Sequence, residues 1–224
     1  MRRFARDNGL SLFFLTIFVL TLLGQGVVGH REFNDEQRMH GQEEVSLSRY
    51  MVSSDYGGSV MENWESEFLQ FALFTLATIW LFQRGSPESK KEEDLGWQSD
   101  QQMKVGGYAD ENGPSWAKLR GWRSRIYENS LLIAFAALFF LTWFAQSLNN
   151  WTEFNNHQTM HGENVVRYVE YLREPEFWER TFQNWQSEFL AVGTLAVFAI
   201  YLRQRGSPES KRVGAPHDET GSAI

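Results

Sequence analysis

The chain has 224 residues, 42% of them hydrophobic, and a net charge of −7. The acidic balance, with no basic stripe interleaved with aromatics, excludes a nucleic-acid partner. The lack of cysteine excludes disulfides, thiolate metal sites and cysteine nucleophiles.

Four apolar stretches follow in chain order, and several of the nine tryptophans flank them, where membrane proteins place interfacial aromatics. Leu10 to Gly29 carries no formal charge, and Ser130 to Leu148 is similar. Each is long enough to cross a hydrocarbon core of roughly 30 Å. The stretches from Phe68 to Phe82 and from Phe189 to Leu202 are shorter, and on length alone either also suits a buried helix of a soluble protein. The N-terminal stretch follows a basic segment, as a signal peptide would, but no A-x-A-like site follows it. Its internal counterpart at Ser130 cannot be a signal, so the first stretch reads as a retained helix. The expected spans are about 10–29, 64–82, 130–148 and 185–202.

Of the 21 lysines and arginines, 15 fall in the N-terminal tail, the central linker and the C-terminal tail, and six in the other two loops. The positive-inside rule then puts both termini and the linker on the cytoplasmic side of an inner membrane. Residues 30–67 hold nine acids against three bases and face outward.

Sliding the chain by 121 residues aligns its halves without a gap, with 32 identities over the 83 positions from Asn8 to Lys90. Glu32-Phe33-Asn34, Met39-His40-Gly41, "NWxSEFL" and "QRGSPESK" all recur. Each half holds two spans, so the repeats are parallel. The fold expected is all-α: an integral membrane four-helix bundle from repeats at 8–90 and 129–211. A polar linker at 91–123, partly disordered, joins them, and a disordered tail occupies 212–224. Two hairpins separated by lipid are the alternative. Within the linker, Trp116, Leu119, Trp122 and Ile126 alternate with four bases, which suits the inner headgroup surface or a plain basic flank of the third span.

The polar constellations carry what chemistry there is. Counted along their helices, Gln25 and Glu67 both lie about 22 Å from the inner boundary, and Gln146 and Glu188 stand in the same relation. A glutamate there needs a partner facing the bundle. We expect Gln25 to bond Glu67 and Gln146 to bond Glu188, either tying helices together or holding an ion, proton or solute. Asn63, Asn184, Asn34 and Asn155 complete the expected polar site. Glu36 and His40, and likewise His157 and His161, are four apart on helices expected to run outward and stop at Gly41 and Gly162. Each pair offers two metal ligands, or the histidines simply cap helix C-termini. In "QRGSPESK" the Arg-Gly-x-Pro order is a helix stop. Its repeated "ESK" is open to a docking surface for a cytoplasmic partner or to recent duplication.

These motifs resemble those of a family of small bacterial multi-pass membrane proteins known as a domain of unknown function. The resemblance implies membrane residence and transfers no activity and no catalytic residues. No Walker loop, GxSxG or HExxH occurs, and cofactor fingerprints are missing. The reading is therefore a non-enzymatic membrane protein that binds or passes a small solute or ion. An envelope scaffold, or a membrane-embedded metalloprotein or hydrolase, is the alternative. No cofactor is called for beyond that metal ion. The lipid bilayer is its expected partner, and either a second copy of the chain or a cytoplasmic partner at the "QRGSPESK" segments is left open beside it.

Overall fold

The computed structural model describes residues 2–221, so Met1 and the last three residues of the 212–224 tail lie outside it. Among the described residues the chain is all-helical, without strands. Its helices are α1 (Arg2–Asp7), α2 (Gly9–Met39), α3 (Leu47–Tyr50), α4 (Ser54–Ala77), α5 (Trp122–Glu128), α6 (Ser130–Met160), α7 (Tyr168–Tyr171) and α8 (Pro175–Tyr201). Three short 3₁₀ turns punctuate the linker. α6, α7 and α8 begin 121 residues after α2, α3 and α4. Two helices, α2 and α6, are long and apolar enough to cross a membrane by length and composition. At 31 residues each, they reach about 46 Å at 1.5 Å per residue, well beyond a hydrocarbon core.

Local chemistry sets the ends. Both long helices stop at a glycine of positive φ, Gly41 (φ 69°) and Gly162 (φ 73°). The amides of Gln42 and Glu163 then reach back to the carbonyls of Gln37 and Gln158, each at 2.8 Å. That six-to-one closure needs a left-handed residue, which glycine supplies without strain. The Ser53 hydroxyl accepts from the Tyr56 amide at 3.3 Å as α4 begins. α8 opens on Pro175, whose fixed φ suits a first helical position.

The chain divides into two compact units, Met1–Met61 with Ala145–Phe177, and Glu62–Phe144 with Trp178–Ile224. In the first, each long helix is tied to the chain that follows it. Asn34 Nδ2 donates to the Val45 carbonyl at 3.0 Å, and its Oδ1 accepts from the Val45 amide at 2.9 Å. Asn155 does the same with Val166, at 3.0 and 2.8 Å. Beside each clamp sits an aromatic trio, Phe33, Tyr50 and Tyr56 in one half and Phe154, Tyr171 and Phe177 in the other. Gly57 and Gly58 meet Asn149 and Asn150, and a Cβ on Gly58 would collide with Asn150 Oδ1.

The second unit is built on rings. Phe139 stacks on Trp143, which meets Trp178, and the contacts continue through Phe182 to Trp185. α4 ends at Ala77, five residues short of the Phe82 expected from composition. The hydroxyl of Thr78, where the other half has Ala199, bonds back to the Phe74 carbonyl at 2.9 Å. Ile79 and Trp80 then close tighter three-residue turns, on the Leu76 and Ala77 carbonyls.

The two "QRGSPESK" segments form the same turn. Ser89 Oγ accepts from the Gln83 amide at 3.0 Å, and Ser210 Oγ from Gln204 at 2.9 Å. Lys90 Nζ donates to the Gly96 carbonyl, while Lys211 Nζ donates to those of Pro216, His217 and Glu219. Helix stopping left "ESK" unexplained; the serine closes the turn and the lysine holds the chain beyond it. Residues 212–221, expected as disordered tail, are drawn in by these bonds and by the Gly85 amide on Thr220 Oγ1 at 2.8 Å.

Two predictions follow from these contacts. Asn34→Ala and Asn155→Ala should each lower unfolding stability in detergent by about 1–3 kcal/mol, because the Val45 and Val166 amides lose their acceptor, while the carbonyls keep His30 and Trp151; an unchanged melting profile would count against the clamp. In the turn, burial and then the Glu209 carboxylate push Glu88 above the usual carboxylate range. A carboxyl raised in the folded state costs stability as pH rises through that folded value, so Glu88→Gln should be more stable than wild type near pH 7. The gap should close as pH falls below the ordinary glutamate value of about 4.3, read by thermal unfolding across pH.

Candidate functional site: a polar end shared by the two halves

The Schellman-type stops bring the ends of α2 and α6, with their polar residues, into the first unit. Glu36 Oε1 lies 3.7 Å from His157 Nε2. The rings of His40 and His161 are 5.9 Å apart, and those of His157 and His161 are 6.3 Å apart. All four residues named by spacing therefore meet, and each meeting between halves is between residues 121 apart. His40 Nδ1 faces the Glu36 carbonyl at 3.0 Å and His161 Nδ1 faces the His157 carbonyl at 2.8 Å. A carbonyl oxygen only accepts, so Nδ1 carries a proton in both rings, and in the neutral tautomer that leaves Nε2 as the acceptor.

Two clefts flank this group. The larger, about 480 Å³, is lined by Glu36, His157, Arg49, Asp55, Gln42 and Tyr50, among others. The smaller, about 290 Å³, is lined by His157, His161, Glu153, Glu163 and Glu176. His157 belongs to both. Glu163 and Glu176 stand 121 residues after Gln42 and Asp55, so the clefts are counterparts with different chemistry. The larger offers a guanidinium, two carboxylates and neutral amides, whereas the smaller is acidic and imidazole-lined. Burial, followed by the Asp55 carboxylate, pushes the Tyr50 phenol above its ordinary range and keeps it a neutral hydrogen-bonding group.

The other expected residues are placed differently. Asn34 and Asn155 are spent on the backbone clamps. Gln25 Nε2 donates to Ser59 Oγ at 2.8 Å, not to Glu67. Gln146 is fully buried, and neither amide atom has a hydrogen-bond partner among the described residues, so its expected bond to Glu188 is not made. Equal depth along two helices fixes height but not direction, and these side chains leave their helices at other angles.

In the second unit, Glu67 and Glu188 lie within each other's electrostatic range. Asn184 Nδ2 bonds the Arg180 carbonyl of its own helix at 3.1 Å. Ser66 and Ser187 donate to the carbonyls of Asn63 and Asn184. The buried acid of the motif is Glu65, fully enclosed, with Trp185 Nε1 at 3.0 Å from both of its oxygens. Beside it, Arg180 Nε pairs with Glu62 Oε1 at 2.5 Å. Sequence reasoning missed all three acids and bases of this group. The available signal was a difference, since Glu65 is the one position inside "NWxSEFL" where the halves disagree.

No curated protein and no solved structure matches the chain. A family model described as "Domain of unknown function (DUF6766)" matches residues 1–222. With nearly the whole chain covered, the protein belongs to the DUF6766 family.

Proposed function

We propose that this is a multi-pass protein of the bacterial inner membrane, a four-helix bundle of two parallel two-span repeats. Both termini and the 91–123 linker lie on the cytoplasmic side. Its outward end binds or passes a small polar solute or an ion and carries out no bond-breaking chemistry. The observation that carries this reading is the pair of counterpart clefts sharing His157, with opposite charges in the larger one. Support for the membrane setting comes from the length and composition of α2 and α6. The lysine and arginine distribution supports the orientation. A scaffold is the second reading, favoured by Asn34 and Asn155, whose amides hold the chain that follows each long helix.

Orientation is tested on the naturally cysteine-free chain. Ser48→Cys and Val169→Cys should react with an impermeant maleimide on intact cells, and Ser99→Cys only after permeabilisation; the reverse pattern would overturn the topology. For the cleft, purified protein is screened by thermal unfolding against amino acids, polyols and simple salts. At least one should stabilise wild type, by about 2.7 kcal/mol at a hundredfold excess over Kd. Arg49→Ala or Asp55→Asn should reduce that shift. If no compound separates wild type from these variants, the scaffold reading stands instead.

A further inference from the structure

We propose that Glu36, His40, His157 and His161 form a binding site for a divalent transition-metal ion, zinc or one of similar preference. The inference rests on reading this end as a ligand-binding face, and it names one ligand class for it.

The donor set suits such an ion: three imidazoles and one carboxylate match the nitrogen and oxygen ligands that zinc takes. Ring orientation is the independent observation. His40 and His161 each turn Nδ1 to the carbonyl four residues earlier. Ligating histidines characteristically donate their second ring N–H to a backbone carbonyl or carboxylate, which fixes the tautomer and frees Nε2 for the metal. The two rings so oriented are neighbours at 5.9 Å, and His157, 6.3 Å from His161, already points Nε2 at the Glu36 carboxylate.

Among the described residues, no three such side chains stand close enough to hold an ion as they are. Two imidazoles on one tetrahedral zinc, with Zn–N of about 2.0–2.1 Å, have ring centres about 5 Å apart, and those of His40 and His161 stand at 5.9 Å; binding requires the ring nitrogens and the Glu36 carboxylate to turn toward one point. Both are exposed side chains at helix ends, free to turn in that way. The sequence supports the same grouping: the second half replaces the glutamate at position 36 with His157, so the meeting point holds one acid and three imidazoles.

The test is titration of the purified full chain with Zn(II), and with Co(II) as a spectroscopic probe. Wild type should bind one equivalent, with intense cobalt d–d bands of tetrahedral coordination. Loss of a second-sphere partner alone costs roughly 10–100-fold in metal affinity; His40→Ala/His161→Ala should weaken binding at least that much. Both replaced side chains are exposed, so the variant should keep the wild-type melting profile without metal. No stoichiometric binding, or wild-type affinity in the double variant, would overturn the site. A solute stabilising wild type through Arg49 and Asp55 while zinc fails to bind would overturn the metal alone. Zinc binding lost in the histidine variant upholds it even if no organic solute is found.

Discussion

A chain leaving a long apolar helix exposes backbone groups that must find partners before it can turn back, and here side chains of the helix itself supply them, with His30 and Trp151 sharing the valine carbonyl with an asparagine. Asn34 and Asn155 each offer a carbonyl and an amide in the arrangement of a neighbouring strand, closing on both backbone groups of one valine. Fixing that valine places the short helix after it, and with it Tyr50 or Tyr171, against the stem of the long helix. The walls of the larger cleft follow from this closure. Val45, Arg49, Tyr50 and Asp55 all lie on the segment that the Asn34 clamp returns.

The halves are alike where the chain must hold itself and different where they meet. Clamp, aromatic pair, helix stop and terminal turn recur 121 residues later with nearly the same distances. Three encounters between counterparts have distinct electrostatics. Glu67 with Glu188 and Glu88 with Glu209 oppose like charges, whereas Glu36 with His157 opposes an acid to a base. Arg180, standing where the first half has Ser59, pairs with Glu62.

The sequence made some features legible and hid others for physical reasons. Glycine after a polar helix end is a local signal, so the stops at Gly41 and Gly162 could be read directly, and the starts of α6, α7 and α8 keep the 121-residue shift from those of α2, α3 and α4. Side-chain direction is not local. Gln25 and Glu67 share a depth, yet Gln25 finds Ser59, because the rotation of one helix against another depends on packing that spacing does not encode. The C-terminal end of α4 was not legible, because apolar composition continues to Phe82 while the helix stops at Ala77. Glu65 was overlooked for the opposite reason: attention to identical positions passes over the single substitution inside a shared motif.

The Glu36–His157 contact bears on how such a chain differs from a dimer of identical halves. Two copies of one subunit, joined about a symmetry axis, can present a central residue only to itself. A glutamate there would face a glutamate, and any change would be made twice. Joining the halves in one polypeptide removes that restriction, since each side of the meeting point is then encoded separately. An acid can be set against an imidazole while the scaffold around both stays the same. The linker is thus more than a tether: it lets two like segments carry different residues where they meet.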